Sequence, residues 1–443
     1  MTLRVPPALS ILDSEKLGAV DTPENLYKRL KGGLVKDLCA QAETTLGDAG
    51  CYDLGLPPPG TSLSLSPGAS LDPFSRFAKC HAIECLLDST TRFSQTLGLF
   101  ADAIVIPDPF TPLFRNAKLS PGLAIELFRR LRVLEVVRPL VEEGIVKFSS
   151  PGMSYCHKCA SKVESRIEEA ALQSAQETVD RAQFDVRVAD RRLCMLSFEA
   201  PDADDGLVRM LRLQGDDRGL VDGYRLAPGR PLARSAVRRL RPLLARIYAG
   251  ELFDALVHLQ RAETDGTYFA TGARHDARLL HELGRVVAAD PVAEQFNALS
   301  DVQIPWVSNL TPEQVVVLRA EAYSALPRFR AYVTKALSSG SRLDAVVEIE
   351  SLQEAAVEAE LELSAVSKLK IGKDLITAGG IGLAVVGAAL GGEVAVTAIG
   401  ALVAAVSAVH SRHGPAAQQI QRIKSDPSFV LVRAKRIFED SHR

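Results

Sequence analysis

The chain has 443 residues, 47% hydrophobic and 24% charged, with a formal net charge of −2. That length allows two or three domains with their own cores, and the near-neutral balance excludes a chain-wide polycation of the kind that coats nucleic acid. Seven cysteines are an odd and sparse count, which excludes a disulfide framework and fits a reducing compartment.

The first residues, MTLRVPPALSILDSEK, have neither a basic start nor an apolar core. No signal peptide is read, so a cytoplasmic protein is expected, with association to the inner membrane through the apolar segment 375–409. Thr22-Pro23-Glu24 is a helix start, with Thr as N-cap and Pro in the first turn, and Gly32-Gly33 interrupts that helix. Residues 51–72 contain Pro57-Pro58-Pro59-Gly60 and read as a surface loop. Residues 73–99 read as helix. Ala103-Ile104-Val105-Ile106 before Pro107 and Pro109 reads as a short strand stopped by prolines. Residues 121–143 read as helix and Gly144 to Phe148 as a strand, a pairing common in small α+β modules such as winged helices.

From about 159 to 193 the absence of Pro and Gly and the helical spacing of apolar residues predict one long charged helix of coiled-coil type. Residues 201–230 read as loops around one short strand, and residues 232–263 as a helix kinked at Pro242. Leu310-Thr311-Pro312-Glu313 opens another helix, with a kink expected at Pro327. Leu343 to Leu369 reads as an acidic helix, with seven acids and no base up to Leu363.

The acidic helix runs into the most distinctive stretch, Leu375 to Val409. Its 35 residues include seven Gly, ten Ala and a single charge, Glu393. Gly391-Gly392 and Glu393 split it into two arms of 16 residues, the pattern of a helical hairpin with a Gly turn at its tip. Each arm would be about 24 Å long as a helix, slightly short for a hydrocarbon core of about 30 Å. Gly380, Gly382, Gly387, Gly391, Gly392 and Gly400 permit close helix contact, and Gly387 to Gly391 has GxxxG spacing. Lys368, Lys370 and Lys373 before the segment, and Arg412 and His413 after it, place basic residues at both ends, as cytoplasmic flanks do. The segment is similar in this one respect to the hairpin of pore-forming colicins. Burial as the core of a soluble bundle is the competing reading. Ala378-Gly379-Gly380-Ile381-Gly382 is not a dinucleotide-binding turn, because the third small residue would fall on Val385 and no ribose-binding acid lies at the required distance beyond it.

Ile304-Pro305-Trp306, Leu310-Thr311-Pro312-Glu313, Leu318-Arg319, Phe329-Arg330 and Asp426-Pro427-Ser428-Phe429-Val430-Leu431 together resemble a pattern in uncharacterised bacterial proteins. Those proteins also carry a Gly/Ala-rich apolar stretch, and the Ala101 to Pro107 strand fits them. The resemblance implies a bacterial origin and no activity.

Candidate chemistry is thin. Cys156-His157-Lys158-Cys159 is half of a zinc site, for which Cys80, His81 and Cys85 are the available completing ligands, although their spacing is irregular. Ordinary reduced cysteines are the simpler reading, and no cofactor is expected. His275-Asp276 and His281-Glu282 cannot chelate one ion from a straight helix. Arg234, Arg238 and Arg241 share one helix face at i, i+4 and i+7, a surface for an anionic ligand or for an internal acidic partner. No catalytic constellation emerges.

These readings give a mainly α protein, α+β in its N-terminal half, with domains at 1–150, 151–303 and 304–443. The last is a helical domain holding the apolar hairpin. The expected function is a non-enzymatic bacterial effector, toxin-like or defence-related, that engages membrane lipid through 375–409. The alternative is a soluble interaction or scaffold protein that uses the hairpin as a core or self-association element. A protein partner is expected in either case, and nucleic acid is not.

Overall fold

The computed structural model describes residues 6–47, 52, 54–56, 63–68, 71–75, 82–151, 157–181, 183–190, 193–199, 207–211, 234–270, 304, 306–338, 342–370 and 415–442. The apolar segment 375–409 lies outside them. Two units result, Met1–Asp301 and Val302–Arg443.

The first unit is built on strands β1 (Ser64–Pro67), β2 (Ala103–Pro107), β3 (Val146–Ser149) and β7 (Tyr268–Ala270). They form one sheet in the order β3-β2-β1-β7, with every pairing parallel. Three antiparallel strands, β4 (Gln183–Asp190), β5 (Leu193–Glu199) and β6 (Leu207–Leu211), form a separate meander. A mainly α architecture therefore holds only as helix richness; the unit containing the sheet is mixed α/β. The sheet also crosses the boundary drawn at residue 150, because β7 pairs with β1.

Helix starts are set locally. Thr22 caps α2 (Pro23–Arg29) by accepting from the Asn25 amide at 3.2 Å, and Ser120 caps α6 (Pro121–Glu142) by accepting from Leu123 at 3.2 Å. Helices α1 (Pro7–Ser14) and α3 (Gly32–Gly47) complete the N-terminal layer. Gly32 and Gly33 open α3 rather than break it. Helix α4 (Ile83–Phe100) begins ten residues later than the sequence suggests and links β1 to β2. A short turn of helix, α5 (Thr111–Phe114), and α6 then link β2 to β3. Helices α4 and α6 contact each other, as right-handed crossovers in one direction require.

The chain then reverses. Helix α7 (His157–Arg181) stops twelve residues short of the predicted 193, and the rest of that stretch enters β4 and β5. Helix α8 (Arg234–Asp265) is one helix through Pro242 and leads into β7, contacting both β1 and β7. Moving to the other side of β1 places this crossover on the opposite face of the sheet. Ile167, Ala171 and Ala175 of α7 pack on Leu252, Leu256, Leu259 and Ala262 of α8 and on Phe269 of β7. Small residues on α7 let the two helix axes approach closely over the sheet.

Strand β1 lies inside the stretch read as a surface loop. Its sequence, Ser-Leu-Ser-Pro, has one large apolar residue, yet all four positions are buried. The serines tolerate this because the Ser66 hydroxyl shares a hydrogen bond with Thr267 Oγ1 at 2.6 Å, so a buried polar group is satisfied.

The second unit contains α9 (Pro312–Glu321), α10 (Leu326–Ser338), α11 (Arg342–Lys370), α12 (Pro415–Lys424) and α13 (Ser428–Asp440). A full capping box opens α9, with Thr311 accepting from the Gln314 amide and the Gln314 side chain accepting from the Thr311 amide. Pro327 sits in the first turn of α10, where its missing N–H is harmless, so it starts a helix instead of kinking one. Phe429, Val430, Leu431 and Val432 of α13 are buried, and α13 contacts α9, α10 and α11. Trp306 precedes a 3₁₀ turn with φ of +62°, a conformation a bulky residue adopts only under constraint. The Lys435 ammonium lies 6.0 Å above its ring and also binds Glu360 at 2.8 Å.

Candidate functional site

The sheet order β3-β2-β1-β7 reverses direction at β1. In open parallel sheets, ligands bind outside the carboxyl ends of the strands at such a reversal. The residues there are those just beyond Pro67, Pro107 and Ser149.

Two of these strand ends carry the same short motif. After β1 comes Asp72-Pro73-Phe74, and after β2 comes Asp108-Pro109-Phe110. In each, the aspartate Oδ1 accepts from the phenylalanine amide two residues on, at 2.8 Å for Phe74 and 2.7 Å for Phe110. The two phenyl rings meet edge to face with centroids 6.3 Å apart, and Phe74 meets Phe148 in the same way at 6.1 Å. This apolar seam fixes both turns above the sheet.

The twins differ in what else they hold. Asp108 is fully buried and also accepts from the Thr111 amide at 3.3 Å, the Thr111 hydroxyl at 2.5 Å and the Tyr52 hydroxyl at 2.5 Å. It is a satisfied structural carboxylate that starts α5. Among the described residues the Asp72 carboxylate accepts only the Phe74 amide. It lies deep in the protein mass yet keeps accessible surface. Desolvation pushes its carboxyl up to about 6, against the opposing pull of the Phe74 amide and of Arg261 and Arg130.

Arg261, in the last turns of α8, donates from Nη2 to the Pro151 carbonyl at 2.6 Å. Asp265 is one turn further on. Both carboxylates act on the guanidinium electrostatically, but burial is the larger influence and holds Arg261 below its ordinary range. Asp265 is raised by burial, with Arg261 and the Ser149 hydroxyl opposing. Among the described residues Arg261 forms a hydrogen bond or close ion pair with neither aspartate, and its Nε has no partner. Asp265 Oδ2 and the buried Ser149 Oγ also lack partners of ordinary geometry, although the Ser149 hydroxyl lies near enough to favour the ionised Asp265. Opposite charges in a poorly hydrated site normally close into direct contact, because an unpaired buried charge is costly. Among the described residues, the Arg261 guanidinium feels two carboxylates and makes a direct contact with neither.

The β1 turn offers no phosphate cradle among its described amides. Leu71 and Asp72 both donate to the Gly68 carbonyl, at 2.9 and 2.8 Å, and Gly68 donates to the Ala270 carbonyl at 2.6 Å. Gly68 also lies against Phe269, where a Cβ would come within 2.7 Å of the ring.

The residues singled out from sequence fall elsewhere. Gly380, Gly382, Gly387, Gly391, Gly392, Glu393 and Gly400 lie outside the described residues, as do Cys80, His81, Cys156, His275 and His281. Cys159 is exposed on α7 and Cys85 is exposed on α4. No cluster of three or more metal-ligating side chains occurs among the described residues. On α8, Arg234 and Arg238 are exposed, while Arg241 binds the Asp180 carbonyl at 3.1 Å and its carboxylate at 3.2 Å. Arg241 thus has a partner on α7. No described helix is long and apolar enough to cross a membrane.

No protein-family model, no curated protein and no solved structure matches the chain.

Proposed function

We propose that the α/β unit is a recognition module that binds a small polar molecule at the carboxyl edge of its parallel sheet. The observation that supports this is Arg261, under the electrostatic pull of both Asp72 and Asp265 and hydrogen-bonded to neither. Asp72 is the entrance to the site, because it retains solvent access while its twin Asp108 is closed off. The test is a thermal-shift screen of the intact chain against polar metabolite classes, repeated with Arg261→Lys. That variant keeps the charge and removes the planar fork. A ligand that stabilises the parent and loses its effect in the variant supports the module. A screen without any stabilising compound defeats it.

A second reading concerns the chain as a whole and rests on the apolar segment. We propose that the protein is a membrane-engaging bacterial effector, toxin-like or defence-related, that acts through Leu375–Val409. Only Glu393 among those 35 residues is charged, and placing an ionised acid in hydrocarbon costs about 2.5–3.5 kcal/mol on insertion scales. Insertion is therefore conditional in this reading. Leakage of anionic liposomes, compared with a 375–409 deletion, tests it. Absence of leakage under all conditions, or leakage that survives the deletion, refutes it. Recovery wholly in the aqueous fraction with the segment protected from protease favours a soluble scaffold instead.

A further inference from the structure

The unpaired atoms around Arg261 specify more than polarity. We infer that the guest is held through neighbouring hydroxyl groups, as a sugar or the ribose of a nucleoside presents them; this rests on the ligand-binding reading above. The site offers one donor in Arg261 Nε, one acceptor in Asp265 Oδ2, and one group able to do either in Ser149 Oγ. Arg261 and Asp265 are four residues apart on one helix and so share a face; Arg261 reaches the Pro151 carbonyl and Asp265 lies near the Ser149 hydroxyl, both at the end of β3.

Charge decides between ligand classes. Two carboxylates, Asp72 and Asp265, face one guanidinium, and the nearby Arg130 already binds Glu126 at 3.3 Å. An oxyanion reaching Arg261 would meet both carboxylates. A fixed ammonium reaching the carboxylates would meet Arg261. A hydroxyl is neutral and is donor and acceptor at the same atom. One hydroxyl accepts from Arg261 Nε while donating to Asp265 Oδ2, and its neighbour reaches Ser149 or Asp72. The β1 turn reinforces this choice, since the Gly68, Leu71 and Asp72 amides, those of its described residues, are all spent on carbonyls rather than open to a phosphate.

The experiment uses the intact chain and isothermal titration with adenosine, 2′-deoxyadenosine, ribose and 2-deoxyribose, with inorganic phosphate and glycine as probes lacking a diol. At least one diol probe is expected to bind at millimolar concentration or below. Its deoxy counterpart should bind roughly tenfold more weakly or worse, the worth of one hydrogen bond to a charged group. Adenosine without ribose identifies a nucleoside site, and ribose alone a sugar site. Asp265→Asn should erase the diol preference while leaving the unliganded melting temperature equal or higher, because burial already disfavours the ionised acid. Equal binding of deoxy and parent probes, or a preference that survives Asp265→Asn, overturns the inference. Phosphate or glycine binding that depends on Arg261 overturns the hydroxyl assignment and leaves the recognition module standing. No binding by any probe, with a crystal structure showing an ordered water alone between Arg261 and Asp265, overturns both.

Discussion

Replacing Asp72 with Asn should stabilise the protein at neutral pH. Burial raises the Asp72 carboxyl from 3.8 to about 6 despite the favourable Phe74 amide and two arginines. At about 1.4 kcal/mol for each tenfold change in acid constant, the ionised side chain costs the fold roughly 3 kcal/mol. The sign comes from proton linkage. The folded pKa lies above the unfolded one, so the folded state holds the proton more tightly. The cost is absent below the unfolded value, grows as pH rises through the interval from 3.8 to about 6, and is complete above it. Asn keeps the oxygen that accepts from Phe74 and carries no charge to desolvate. Arg261 retains Asp265 as counterion. The expected gain is about 2–3 kcal/mol near neutrality, or on the order of 5 °C for a unit of this size, shrinking to nothing near pH 4. Calorimetry of parent and variant at both pH values measures it. A stabilisation of the same size at acid pH, or a loss of stability at neutral pH, refutes the assignment of Asp72 as a carboxylate carried for function.

Other substitutions probe the frame around the site. Gly68→Ala pushes a methyl to within 2.7 Å of the Phe269 ring, which is itself packed among Leu256, Leu259 and Ala262. A loss of about 1–3 kcal/mol by chemical denaturation is expected. Arg241→Ala removes a contact to Asp180, whose side chain is 74% exposed; the loss should stay under about 1 kcal/mol, and a larger one would mean the α7–α8 pair leans on that contact. In the second unit Phe329 is fully buried, so Phe329→Ala should cost about 3–5 kcal/mol. Trp306 is the single tryptophan of the chain and belongs to the same unit, so its emission should shift at lower denaturant in that variant.

How much of this was legible in the sequence depended on whether the signal was local. Thr22-Pro23 and Thr311-Pro312 announce helices because a cap is satisfied within three residues, and β2 is announced by an apolar run that ends in prolines. Strand β1 gave no such sign. Its serines are acceptable in the interior only because Thr267, 201 residues away, supplies the hydrogen-bond partner. The end of α7 was illegible for another reason. No Gly or Pro marks the change at residue 182, although Phe184, Val186 and Val188 alternating with Asp185 and Arg187 have the period of a strand and could have been read.

The site was partly legible and partly not. The repeated Asp-Pro-Phe after two strands is a visible signature, since Asp before a turn commonly accepts from the backbone two residues on. Nothing distinguishes Arg261 and Asp265 in that way. Gln260-Arg261-Ala262-Glu263-Thr264-Asp265 reads as the solvated end of a charged helix, and Gln260 and Glu263 do pair with each other there at 3.0 Å. Arg261 leaves that solvated pattern because its guanidinium donates to the Pro151 carbonyl, just beyond β3 and 110 residues away in the chain. The charges that define the site thus become unusual through topology alone. Their functional reading rests on the lack, among the described residues, of a direct contact between Arg261 and either aspartate.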